Sequence, residues 1–282
     1  MTAASLVRYQ PGRVARITLD RPEFRNAQSA QLLEELDDAF RLAARDPSVK
    51  VIVMDGAGES FSSGHDLGTP DQREWRAAHA RNITEVESHF EYSWDLYVDL
   101  SLRWRDIPKP TIAMVHGWCI FGGWLIASAM DLIVAADNAR FMTALLQYFP
   151  LPYDVGPRKA KELLFDAHEI SAAEACSLGF VNRVVPAAEL ESETMALAER
   201  IAGNNAFYLR MVKVSVNQAQ DAMGFRSAVV GAHSHYHLTQ LSNAQWERKK
   251  ARAEGREEPS EFRKRLPLVD RILKSDDESA DR

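Results

Sequence analysis

Apolar residues along this chain follow two periods. Val14 to Leu19 and Lys50 to Met54 are short apolar runs that predict strands, the first closed by Arg21-Pro22. Between them Leu32, Leu33, Leu36, Phe40 and Leu42 recur at helical spacing over 29–44, with Ser29 placed as an N-cap. Thr111 to Val115 and Asp131 to Ala135 predict two further strands around a helix at Trp124 to Met130. The strands lack strict alternation, which is the pattern of a parallel sheet covered on both faces. Strands and helices in this order predict right-handed βαβ units and an α/β fold. Residues 71–104 read as a charged, weakly amphipathic helical segment. Beyond Asp166 helices dominate, at 171–178, 187–203, 206–220 and 224–240, with one strand at Val181 to Val185.

Composition narrows the picture. A chain of 282 residues, 46% hydrophobic, is long enough to bury a large core in one main domain with a helical appendage. Its 34 basic and 40 acidic residues leave a formal charge of -6, which argues against nucleic acid and anionic membranes as partners. Any anionic ligand must then be held by a local arrangement. Cys119 and Cys176 form no metal or redox spacing, so a reducing cytoplasm is expected. No run approaches the roughly 20 apolar residues of a membrane span, and no secretory leader is read at the start. His233 and His237 would share a helix face at metal-ligand spacing. No carboxylate or thiolate matches them, so a packed helix is expected there and no metal.

Two glycine-rich loops carry the chemistry. Phe61-Ser-Ser-Gly-His-Asp-Leu67 follows the Lys50–Met54 strand, and His116-Gly-Trp-Cys-Ile-Phe-Gly-Gly-Trp124 follows Thr111–Val115 and opens a helix. A tight turn at a strand end beside a helix N-terminus leaves backbone N–H groups unpaired, and the helix dipole favours negative charge there. Two such turns on neighbouring strands can aim two amides at one oxygen, the geometry of an oxyanion hole.

These loops belong to a longer ordered series. It comprises Ile17-Thr-Leu-Asp-Arg-Pro-Glu-Phe-Arg-Asn-Ala27, Val51-Ile-Val-Met-Asp-Gly-Ala-Gly58, both loops, Lys109-Pro-Thr-Ile-Ala113, Ile170-Ser-Ala-Ala-Glu-Ala175 and Leu178-Gly-Phe-Val-Asn-Arg-Val-Val-Pro186. From about residue 10 to 225 the series resembles the crotonase, or enoyl-CoA hydratase/isomerase, superfamily. The resemblance implies a crotonase-like ββα spiral core over 1–200 and a C-terminal helical trimerisation region over 201–255. A charged tail follows over 256–282 (KSDDESADR at its end), partly disordered by composition. It implies a trimer or a dimer of trimers, no permanently bound cofactor, and coenzyme A as part of an acyl-CoA substrate. The family's oxyanion amides fall on His65 and Gly122. Arg25 and Asn26, in the Arg21–Asn26 turn, fall where the adenine end of CoA is held. Asp66 and Leu67 continue the first loop.

The chain also departs from the family. Leu125 stands where a hydratase has its first glutamate, and Ala144-Leu145 where it has the second. Neither leucine can move a proton or activate water. Phe121 replaces the first glycine of the second loop, flanked by Trp118 and Trp124, and these aromatics suggest a flat acyl pocket. The usual Pro-Gly-x-Gly-Gly loop is shortened to Phe149-Pro-Leu-Pro-Tyr-Asp-Val-Gly156. Within it Asp154 falls near the working aspartate of several relatives and is expected to transfer the proton, with Tyr153 or Tyr148 as hydrogen-bond partners. The acidic series Glu85, Glu87, Glu91, Asp95 and Asp99 offers a second candidate carboxylate. The expected activity is hydration of a cyclic, branched or bulky 2-enoyl-CoA. The alternatives are hydrolysis of a cyclic β-oxo acyl-CoA and acyl-CoA binding without catalysis.

Overall fold

The computed structural model describes residues 5–78, 86–144 and 146–240. The chain divides into two compact units, Met1–Ser234 and His235–Arg282. The second is described only over 235–240, the end of one helix.

A six-stranded sheet forms the centre of the first unit. Its strands are β1 (Val7–Gln10), β2 (Val14–Leu19), β3 (Val51–Gly56), β4 (Thr111–Val115), β6 (Leu132–Ala136) and β9 (Arg183–Val185), in that spatial order. Only the β1–β2 pair is antiparallel, with Val7 opposite Leu19. A second sheet holds β5 (Trp118–Ile120), β7 (Arg140–Met142) and β8 (Ile170–Ser171).

Strand β3 shows why these runs are apolar throughout. Successive side chains point to opposite faces of a strand. Ile52 and Met54 pack into a large core with Leu33, Leu36 and Phe40 of α1 (Ala30–Arg45). Val51 and Val53 pack into a smaller core with Leu190, Ala198 and Ala202 of α9 (Leu190–Ala202). Helix α1 begins where its cap predicts: the Leu32 N–H donates to Ser29 Oγ at 3.2 Å.

The charged segment after the first loop is helical over its described residues. It contains α2 (Pro70–Ala78), then α3 (Val86–Ser93), a π-helical turn at Trp94–Asp99, and α4 (Leu100–Arg105). After β5 come α5 (Gly122–Ser128), α6 (Leu151–Asp154), α7 (Pro157–Asp166) and α8 (Ala172–Ser177). Helices α10 (Ala206–Ala222) and α11 (Phe225–Gln240) complete the described chain. Strands β1, β5 and β8 were not legible as strands, being short and bordered by loops. Among the described residues, no helix is long and apolar enough to cross a membrane.

Candidate active site

The first glycine loop is laid between two neighbours by backbone pairing. On one side the Ser62 N–H donates to Trp118 O at 2.9 Å, and the Ile120 N–H donates to Ser62 O at 3.1 Å. On the other, Gln28 N–H donates to Gly64 O at 2.8 Å, and Asp66 N–H donates to Gln28 O at 3.1 Å. His65 stands opposite Gln28 in this parallel bridge. A residue flanked in that way turns its own N–H to the far side, away from Gln28. Gly122 is the first residue of α5, so its N–H has no partner within the helix. Among the described residues, no hydrogen-bond acceptor is found for either amide.

The two turns meet glycine to glycine. A Cβ on Gly64 would stand 2.9 Å from the Gly122 nitrogen and 2.8 Å from Phe121 Cβ. A Cβ on Gly122 would collide with the Gln28 amide oxygen and come within 2.6 Å of His65 Nδ1. Side chains at either position would force the loops apart. Phe121, which caps α5, holds φ 51 and ψ -114, a conformation costly for a residue with a side chain.

Side chains of the Arg21–Asn26 turn hold this loop from below. Asn26 Nδ2 donates to Ala57 O, Ser60 O and Phe61 O, while its Oδ1 accepts from the Arg21 N–H. Arg21 is fully buried and donates to Asp66 Oδ2 at 2.6 Å and to Thr69 Oγ1 at 2.6 Å. Burial alone would raise the Asp66 carboxyl. Bonds from the Thr69 hydroxyl and amide, Arg21 and the Gly68 amide hold it below its ordinary value. Asn26 and Asp66 are therefore committed to the protein itself. Arg25 is half-buried in a left-handed conformation with φ 49, and Leu67 is 82% exposed.

Behind the amides lies a cavity of about 10 Å³, room for one water at most. Its apolar wall is Leu33, Leu96, Trp104, Leu125 and Ile126, and its polar lining is Gln28, His65, Tyr97 and Ser101. The Tyr97 ring stacks on the His65 imidazole, with centroids 3.8 Å apart and planes 26° apart. His65 Nδ1 lies 3.2 Å from Gln28 Oε1, and Nε2 lies 2.9 Å from Gln147 Oε1. Burial lowers the imidazole to about 4, with the bond to Gln147 opposing, so the ring is neutral at pH 7.

Of the expected site residues, the structure brings His65, Gly122 and Leu125 together at this cavity. It does not bring Asp154 there, and that expectation is corrected. Asp154 borders a second cavity of about 120 Å³ with Ser128, Asp131, Phe180 and Asn182. Ser128 ends the helix that Gly122 begins, and six residues of α-helix span about 9 Å. Asp154 Oδ2 is buried without a hydrogen-bond partner among the described residues. Burial raises the carboxyl to about 7, with the neighbouring Ser128 hydroxyl opposing.

The expected aromatic partners are likewise elsewhere. Tyr148 is fully buried against Phe225, with ring centroids 6.1 Å apart, and burial raises its phenol. Tyr153 packs on the same ring at 5.2 Å and donates to Met223 O at 3.4 Å. Trp124 is core, stacked on Phe180 at 4.1 Å rather than lining the cavity. Trp118 and Phe121 are half-buried beside the loop and do not line the cavity either. Leu145 and Glu85 lie outside the described residues. From the acidic segment the cavity receives Leu96, Tyr97 and Ser101, not Glu87, Glu91, Asp95 or Asp99. A π-helical turn carries an extra residue per turn, which shifts which side chains face inward. Gln28, Tyr97 and Gln147 were missed because no local spacing links them to His65.

Comparison with known proteins identifies the family. The Enoyl-CoA hydratase/isomerase family matches residues 10–261. A protein of Mycobacterium tuberculosis named "Putative enoyl-CoA hydratase EchA13" is 40% identical over 261 residues, covering 85% of this chain and 81% of that protein. A structure described as a probable enoyl-CoA hydratase from Mycobacterium smegmatis superposes with a TM-score of 0.76 at 40% identity, over 83% of this chain and 94% of that one. An enoyl-CoA hydratase/isomerase from Xanthobacter autotrophicus Py2 superposes with a TM-score of 0.78 at 30% identity, over 89% and 94%. The fold is that of the crotonase superfamily. Within it, the chain belongs to the enoyl-CoA hydratase/isomerase family of enzymes.

Proposed function

We propose that this protein binds an acyl-CoA thioester, holds its carbonyl oxygen on the amides of His65 and Gly122, and turns it over through an enolate. The observation that carries this reading is the meeting of two glycine turns, each offering an N–H without an acceptor among the described residues. Each amide in such a pair is worth about 3 kcal/mol at the transition state. Addition of water to a 2-enoyl-CoA is the favoured reaction, on a substrate outside the ordinary straight-chain set. Leu125 supports that restriction, since it fills the first turn of α5 with hydrocarbon where a carboxylate would serve. CoA arrives as part of the substrate, with its adenine end at the Arg21–Asn26 turn.

A second reading, acyl-CoA binding without turnover, draws on the cavity lining, which has no carboxylate among the described residues. Self-association through the C-terminal helices is also proposed. Helix α10 exposes Phe207, Tyr208, Met211, Val212 and Val216, an apolar row that suits burial against another copy.

Calorimetric titration of crotonyl-CoA against its thioether analogue, which lacks the carbonyl oxygen, tests the cradle. The thioester should bind about tenfold tighter or better, as expected for loss of two amide bonds to a neutral carbonyl. Equal affinities would sink the reading. Turnover of branched or cyclic 2-enoyl-CoA thioesters separates the enzyme from the non-catalytic binder.

A further inference from the structure

The cavity at the far end of α5 is lined by carboxylates that no cation of the lining answers. Its volume of about 120 Å³ leaves room for several waters or a small hydrated ion. Asp131 and Asp154 both line it, and among the described residues no lysine, arginine or histidine does. Asp131 is matched from outside the cavity. Its Oδ2 accepts from Lys213 Nζ at 2.8 Å, from the Thr111 N–H at 2.8 Å and from Thr111 Oγ1 at 3.0 Å. Asn182, also in the lining, gives its side-chain oxygen to the Ile133 N–H at 2.7 Å.

Asp154 has no such counter-ion. Its Oδ2 is buried and unbonded among the described residues, and so is the Oγ of Ser128, which lies beside the carboxyl. Buried polar atoms are costly to leave without partners, and these two share one cavity. Helix α5 also ends at Ser128, and the carbonyl dipoles of a helix C-terminus favour a cation. One unmatched carboxylate suits a single positive charge. Calcium takes about six to eight oxygens, and magnesium demands a near-ideal octahedron. Zinc and its neighbours favour histidine or cysteine, which the lining lacks.

We propose that this cavity is a site for a small monovalent cation, of the size of potassium or ammonium, held by the Asp154 carboxylate and the Ser128 hydroxyl with water completing its shell. The ion ties α6, which carries Asp154, to the end of α5. The site is separate from the two amides and does not depend on the thioester reading. A proton competes with the ion for Asp154. Burial raises that carboxyl to about 7, so it is charged and free to bind at pH 8 and protonated at pH 5. Other charged groups nearby are paired with one another: Asp131 with Lys213, and around Tyr148 the arginines Arg105 and Arg226 with Asp106 and Asp221.

The experiment melts the full-length protein at constant ionic strength in the chlorides of tetramethylammonium, potassium and ammonium. Tetramethylammonium has no N–H and is too bulky to sit between the carboxylate and the hydroxyl, so it serves as the reference. At pH 8, potassium or ammonium at about tenfold over its dissociation constant should raise the wild-type melting temperature by about 3 °C over the reference. At pH 5 the rise should vanish. Asp154→Asn keeps the shape without the charge and should lose the rise at pH 8, while Ser128→Ala should need about tenfold more cation. Equal wild-type melting in all three salts at pH 8 means that water alone fills the cavity, and overturns the proposal. An undiminished rise in Asp154→Asn, in Ser128→Ala or at pH 5 means that the ion binds elsewhere, and overturns it as well.

Discussion

At the scale of single residues, burial rather than charge pairing sets the chemistry. His65 and Asp154 are both shifted by loss of water, in the directions that favour their neutral forms. For Asp154 the consequence is a stability that depends on pH. The folded protein holds this proton up to about pH 7, whereas an unfolded aspartate releases it near 3.8. The stabilisation is complete below pH 4 and is lost as pH rises through 7. Asp154→Asn removes the buried charge without changing the shape. Its melting temperature should exceed that of wild type at pH 8, by a margin that narrows at pH 5 and closes below pH 4. A variant less stable than wild type at pH 8 would show that the carboxylate has a partner after all.

At the scale of elements, the first glycine loop is held by a buried ion pair rather than by a helix or sheet of its own. Arg21 and Asp66 are both inaccessible to solvent and 2.6 Å apart. Removing one member of such a pair strands the other charge and costs about 3–5 kcal/mol. Arg21→Ala should therefore lower stability by that amount in urea denaturation. It should also weaken thioester binding, because Asp66 directly follows the His65 amide. If binding survives with the loop destabilised, the oxyanion geometry is held by the Gln28 and Trp118 pairings alone. The π-helical turn at Trp94–Asp99 plays a complementary part, since it delivers Leu96 and Tyr97 to the cavity.

At the scale of the whole molecule, the exposed apolar row on α10 argues for self-association. Sedimentation velocity at micromolar concentration should show a species larger than a monomer, and Phe207→Glu with Val216→Glu should dissociate it. A wild-type protein that sediments as a monomer would remove the proposal of a trimer. The active-site reading would stand, since His65 and Gly122 belong to loops of the same chain.

The central strands were legible because each is buried on both faces, so hydrophobic runs mark them without help from distant residues. Helix α1 was legible for a related reason, as its cap and its stripe are both local. The glycines of the two loops could also be read, because a position that excludes a Cβ tolerates little else. Which side chains meet the amides could not be read from the chain. Asp154 had a suitable type and a suitable place in the order of motifs, yet it lies on α6 at another cavity, beside the last residue of α5. Gln28, Tyr97 and Gln147 reach His65 across separations of 37, 32 and 82 residues. Sequence spacing constrains contacts only within a turn of helix or a pair of strands. Contacts across such distances depend on how the sheets and helices pack, and that packing brought a neutral imidazole and Leu125 to one cavity.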